Sequence, residues 1–302
     1  MELRHLRYFV AVAEEGSLTV AAVRRLHTAQ PSLSRQIRDL EDEVGVPLLT
    51  RSARGVELTA AGRVFLDHAR LVLGQAEVAI EAARRAAQPE KPTFAMGFLT
   101  GQEVDWLPEA TRMLRDELPN IEVRVSSQYS PRLAEELQRG KLDVAFLRRE
   151  PQPDLAYKTV AQEPLVVILP SDHALAALRS ITPRQLQGET FIGLSDTPHV
   201  LRAIVDKYLR KCGVKLTPAH LIDNFAMGIS LVASTRGVAI LPAYAANYLP
   251  WSVVSRPLGG PVATPTIDLV IGYHKANRSP VLATFLARVD DMIARVAKTK
   301  RS

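Results

Sequence analysis

Apolar positions at the start of the chain recur at helical spacing. Leu6, Phe9, Val10, Val12 and Ala13 form one stripe and predict an amphipathic helix from Leu3 to Glu15. Gly16 ends it, and Ser17 is placed to cap a short helix from Leu18 to Leu26 that buries Leu18, Ala21 and Ala22. A turn from His27 to Gln30 leads into a third helix with Pro31 at its first position. There Leu33, Ile37, Leu40 and Val44 repeat at i, i+4, i+7 and i+11 as the buried face. The opposite face is expected to carry Ser34, Arg35 and Arg38, with Pro31 above them. Helix, short helix, turn and helix make a helix-turn-helix. Two short extended segments follow, Leu48 to Arg51 and Val56 to Thr59, joined by a turn with Arg54 at its tip. A hairpin directly after a recognition helix is a wing, and an arginine at its tip suits phosphate or minor-groove contact.

From Thr59 to about Ala87 there is no proline and alanine is dense. Phe65, Ala69, Val72, Ala76, Ala79 and Ala83 alternate at spacings of four and three, with Leu66, Leu73 and Ile80 beside them. This predicts a long helix with a seam, suited to dimerisation. The stretch QPEKP, Gln88 to Pro92, marks a domain boundary. Strands and helices then alternate. FAMGFL, IEVRVSS, LDVAFLR, LVVILP, FIGL, VAILP and IDLVIGYH read as strands, and one closing helix is expected from Pro280 to about Lys298. Gly237 fits a helix stop before VAILP. Alternation of this kind predicts a parallel sheet with helices on its faces, here as two α/β lobes with a cleft between them.

Composition narrows the classes. The chain has 302 residues, nearly half of them hydrophobic, and one cysteine, Cys212. That excludes an intrachain disulfide framework and a cysteine-rich zinc site, and fits a reducing compartment. The N-terminus shows no signal-peptide pattern and no stretch approaches membrane-spanning length, so a cytoplasmic location is expected. The net charge is +6, yet residues 1–58 carry eight basic and eight acidic side chains. Charge alone is therefore weak support for DNA binding, and its arrangement has to decide. The histidines are scattered, without a His-x-x-x-His pair, and no metal or cofactor is expected.

ELRHLRYFVAVAEEGSLTVAA, LHTAQPSLSRQIRDLEDEVGVPLLTR and ELTAAG resemble the N-terminal third of the LysR-type transcriptional regulators. GFLTGQE, LDVAFLR, EPLVVILPSDHALA and LVASTRGVAILP extend the resemblance over nearly the whole chain, which looks most similar to regulators of aromatic-acid catabolism of the phenylpropionate and hydroxycinnamate type. AAVRRLHTAQP departs from the pattern, being one residue longer before Gln-Pro than in many relatives. The resemblance implies a multidomain protein: a winged helix-turn-helix over 1–58, a linker and dimerisation helix over 59–90, and a two-lobed effector domain of periplasmic-binding-protein type over 91–302. Lobe I would comprise 91–161 and 266–302, and lobe II 162–265. Implied partners are double-stranded promoter DNA, a small carboxylate effector, further copies of the chain as a dimer of dimers, and RNA polymerase, with no membrane. Such regulators often activate one promoter and repress their own transcription.

Family contacts to DNA map onto Gln30, Pro31, Ser34 and Arg35 of the third helix and Arg54 of the wing, and Ser32 is small enough to permit close approach. Glutamine and arginine pair with base edges, which agrees with that mapping. Ligands of open α/β sheets bind where strands end. Three loops qualify, carrying Thr100 and Gln102, Ser127 and Gln128, and Ser195, Thr197 and His199. Hydroxyls and free N–H groups at helix starts receive carboxylates well. Each loop taken alone fits simple capping equally, while three at equivalent places favour a pocket. Arg148 is the candidate anion anchor, or else a surface salt-bridge residue, and Phe225 is an apolar wall or core packing. The expected ligand is a small, aromatic carboxylate. A solute-binding protein for transport shares the cleft but needs export. An enzyme is disfavoured because Cys212 lacks a recognisable partner and no Gly-x-Ser-x-Gly elbow occurs.

Overall fold

The computed structural model describes residues 1–52, 55–86, 92–197 and 199–299. The chain forms two compact units, 1–86 and 87–302. The QPEKP boundary lies outside the described residues except for Pro92, and so does Arg54.

The first unit is built as the periodicity dictates. Helix α1 (Leu3–Glu15) ends at Gly16 in the left-handed conformation, and the Ser17 side chain accepts from Val20 N to start α2 (Leu18–Val20). Helix α3 (Gln30–Val44) buries Leu33, Ile37 and Leu40 against Leu6, Phe9 and Val12. Before α3, α2 runs into a π-helical turn, Ala21–Arg25, closed by Leu26 N donating to Ala21 O, and His27 then takes a positive φ of 49°. The wing strands β1 (Leu49–Ser52) and β2 (Gly55–Leu58) pair antiparallel, and Glu41 of α3 accepts from Leu48 N and Leu49 N at 2.7 and 2.9 Å, fixing the helix-to-wing junction. Helix α4 (Ala60–Ala86) packs its first turns on α1, with Phe65 edge-on to Phe9 at 5.3 Å. Leu66 and Ala69 are buried, whereas Val72 and Ile80 further along the same seam are exposed.

The second unit is one mixed sheet, where the alternation had led to an expected parallel one. Strand β3 (Thr93–Leu99) pairs parallel with β4 (Glu122–Gln128) and β5 (Val144–Leu147). Two long strands, β6 (Leu155–Pro170) and β11 (Thr266–His274), run antiparallel to each other, and β11 is antiparallel to β5. Beyond residue 164, β6 leaves β11 and pairs antiparallel with β9 (Val238–Pro242) and β10 (Val253–Pro257). Strand β7 (Phe191–Leu194) joins β9 and β8 (His220–Ile222) in parallel. Strand β6 is thus continuous from one lobe into the other. A returning strand reverses the sheet's direction, and hydrophobic period alone carries no strand direction.

Each lobe has its own core. Phe94, Phe98, Phe146 and Trp106 fill lobe I, with α5 (Glu103–Glu117), α9 (Pro280–Ala287) and α10 (Val289–Thr299) on that face and α6 (Ser130–Gln138) on the other. Val167, Ile192, Val232 and Ile240 lie at the centre of lobe II, under α7 (His199–Lys211) and α8 (Phe225–Thr235). The closing helix expected from Pro280 is two helices, interrupted at Arg288, whose guanidinium pairs with Glu117 and Asp291. The left-handed stop after α8 is Arg236, φ 58°, rather than Gly237. Gly237 instead permits close passage, since a Cβ there would lie 2.6 Å from Thr190 O.

Candidate functional sites: a reading helix and an interlobe cavity

On α3, Pro31, Ser32 and Arg35 are exposed and Gln30 is half-buried. Ser34, expected on the face opposite the seam, is instead buried, 5 % exposed. At 100° per residue it stands a quarter turn from the Leu33–Ile37–Leu40 seam, so it flanks the packed face instead of opposing it. Its carbonyl accepts from Arg38 Nε at 3.4 Å. Among the described residues no acidic side chain pairs with Arg35, which leaves its guanidinium fork available.

The effector unit holds a cavity between its lobes that is partly open to solvent. Lobe I contributes Leu99, Thr100, Tyr129, Ser130, Pro131, Arg148 and Glu150, and lobe II contributes Leu194, Thr197, Val200, Leu201, Asp223, Asn224, Phe225, Leu241, Pro242 and Tyr244. The local sequence explains the convergence. Strands β3, β4 and β7 end here, and α6, α7 and α8 begin here, so the positive ends of three helices gather at the space. Asn224 caps α8 by accepting from Met227 N at 2.9 Å, and Ser130 Oγ accepts from Arg148 N at 2.9 Å.

Arg148 is no surface residue. It is 5 % exposed, and its Nη2 donates to Glu163 Oε2 at 2.6 Å. Glu163, itself 6 % exposed, also accepts from Gln102 Nε2 at 3.0 and 3.1 Å. The Arg148 guanidinium lies 5.7 Å over the Tyr244 ring, and its buried Nη1 has no protein partner. Burial pushes the Tyr244 hydroxyl well above its usual range, against the pull of Arg148. The cavity is thus lined by Arg148, the acidic residues Glu150 and Asp223, the hydroxyl-bearing Thr100, Ser130 and Thr197, and walls of leucine, phenylalanine and proline.

Thr100, Arg148, Thr197 and Phe225 line this space as expected. Gln102 does not: it is fully buried beneath the loop, turned to Glu163. Ser127 is exposed and points to Thr100 Oγ1 at 3.2 Å, outside the lining, and Gln128 ends β4 without lining it. Ser195 donates to the Asp223 carboxylate and does not line the space. His199 opens α7, and its side chain lies outside the described residues. Sequence reasoning missed Pro131, Glu150, Asp223 and Tyr244. The signal available for the first was its position in the first turn of α6, because a helix start after a strand end faces the cleft.

Residues 3–63 match the family described as bacterial regulatory helix-turn-helix protein, lysR family, and residues 87–294 match the LysR substrate binding domain. The chain belongs to the LysR family. As a LysR-family protein it is a DNA-binding transcriptional regulator with an effector-binding domain. It is similar to the Hca operon transcriptional activator HcaR of Escherichia coli (strain K12), 40 % identical over 298 residues, 98 % of this chain and 99 % of the relative. A probable cat1 operon transcriptional activator of Acinetobacter lwoffii is 35 % identical, covering 92 % and 91 %. Among solved structures, full-length BenM matches with a TM-score of 0.58 at 28 % identity, covering 98 % of this chain and 97 % of that one. Full-length CbnR complexed with its target DNA matches with a TM-score of 0.56 at 27 % identity, covering 97 % and 100 %.

Proposed function

We propose that this LysR-family regulator senses a small aromatic carboxylate in the interlobe cavity and reads promoter DNA with α3. The observation that carries the effector reading is the buried Arg148. One guanidinium nitrogen is held by Glu163, the other is buried without a protein partner, and the residue lines a largely apolar cavity at the starts of three helices. An orphaned, buried guanidinium N–H is costly, and a carboxylate would satisfy it with a charge-assisted bond. The apolar lining would take a ring, in keeping with the operon activators among the relatives.

On DNA, Gln30, Pro31, Ser32 and Arg35 would enter the major groove, with Ser34 helping to seat the helix and Arg54 contacting the backbone from the wing. The exposed Val72 and Ile80 of α4 fit burial against a second copy, giving a dimer and then a dimer of dimers. The protein acts in the cytoplasm without catalysis, and RNA polymerase is a partner at activated promoters. Effector binding biases lobe geometry and, through the oligomer, the DNA bend. Calorimetry of the full chain against benzoates, cinnamates and 3-phenylpropionates tests this: at least one should bind, and silence across the panel would sink the effector reading.

A further inference from the structure

Gly101 lies in the loop between β3 and α5 on lobe I, with φ at +92°. A Cβ at this position would fall 2.8 Å from Tyr244 Cε2 and 2.9 Å from Phe225 Cε1, both on lobe II. Tyr248 of lobe II donates its hydroxyl to Gly101 O at 2.6 Å. The Phe225 ring sits 5.3 Å from that of Tyr244 and 5.1 Å from that of Tyr248. Three aromatic rings from one lobe therefore close over a single glycine of the other. The residues beside this contact belong to the cavity: Thr100 precedes Gly101 in the chain, and Phe225 and Tyr244 form the facing wall.

We propose that Gly101 and Tyr248 are positioning residues of the effector pocket, forming an interlobe latch that sets the distance between the Thr100 wall and the Phe225 wall. The inference rests on the reading of this cavity as the effector site. Two physical facts support it. Only glycine reaches this φ without strain while leaving room for two rings at once. The Tyr248–Gly101 bond joins segments 147 residues apart, so its loss removes a tie between the lobes instead of loosening a local turn. Preorganised walls raise affinity because the ligand does not have to order them.

Two measurements on the full chain test the latch. In hydrogen exchange without ligand, Tyr248→Phe keeps the ring and removes only the hydroxyl. It should speed exchange in 99–103 and 225–235 together while the centre of β3 is unchanged. Exchange identical to the wild type in both segments overturns the latch, because packing alone would be preserved by phenylalanine. In calorimetry with the tightest binder among benzoate, cinnamate and 3-phenylpropionate, Tyr248→Phe should weaken binding about 3- to 10-fold, the range of one lost hydrogen bond. Gly101→Ala should weaken it roughly tenfold or more, since the added carbon forces the walls apart. Wild-type affinity in both variants overturns the positioning role. If the wild type binds none of the three probes, the carboxylate reading fails, and the exchange experiment still decides the latch.

Discussion

Arg35 and Arg148 are both assigned to ligand contact, and their surroundings are opposite. Arg35 stands exposed on α3, held only by the helix beneath it. Arg148 is buried, paired with Glu163, stacked near Tyr244 and adjacent to a backbone group tied to Ser130. The difference follows from what each meets. A DNA surface supplies its own phosphates and base edges, so the reader needs free donors on a rigid rod. A small ligand has few polar atoms, so the site must solvate its own charges internally and leave one edge open. Removing Arg148 should therefore cost stability along with effector binding, and removing Arg35 should cost DNA binding alone.

The largest effect expected is from Arg148→Met. It strands the Glu163 carboxylate in the interior, and breaking a buried pair of this kind costs about 3–5 kcal/mol. Chemical denaturation should show that loss, and the double variant with Glu163→Gln should recover most of it. A single variant as stable as the wild type would mean that water already reaches the pair. Next, Arg35→Ala should leave stability within about 0.5 kcal/mol, as for other exposed positions. Operator affinity should fall by roughly 1–3 kcal/mol, the worth of one base contact, while oligomeric state is retained. Equal loss on operator and random DNA would reassign Arg35 to phosphate contact. A smaller effect is expected at Ser17→Ala, which removes the cap of α2 and should cost about 1 kcal/mol in the first unit.

A further effect concerns alkaline pH and the effector unit. Burial, assisted by Glu150, pushes Tyr157 up to about 12, and burial with Cys212 beside it pushes Tyr208 up to about 12. Both phenols hold their protons more tightly when folded than when unfolded. Their contribution is fully present below pH 10 and is lost as pH rises from 10 through 12. Denaturation midpoints should be flat from pH 8 to 9.5 in this respect and decline above 10, with phenolate absorbance lagging that of free tyrosine. Loss of midpoint starting below pH 9 would point to another group.

The same contrast explains what was legible. The seams of α1, α3 and α4 repeat within a few residues, so periodicity located the helices, the cap at Ser17 and the exposed positions of Arg35 and Pro31. Ser34 failed because a quarter-turn position is ambiguous until the neighbouring helix is in place. In the effector unit the helix starts were readable, and with them Thr100, Thr197 and Phe225. What stayed hidden depends on residues distant in sequence. Gln102 reads as a loop donor until Glu163, 61 residues away, is found beneath it, and the antiparallel return of β11 leaves no mark on local hydrophobicity. The π-helical turn at Ala21–Arg25 was not legible in the sequence either.

The most direct test of the account is an anisotropy titration of the full chain on the duplex upstream of its own gene, against a shuffled duplex. It should be run across salt, with and without the tightest-binding carboxylate. The account predicts preference for the upstream duplex, affinity falling linearly in log–log against salt as phosphate contacts release counterions, and a change in affinity or signal amplitude when the carboxylate is added. Equal binding to both duplexes, or a carboxylate that binds the protein yet leaves the DNA complex unaltered, would contradict it.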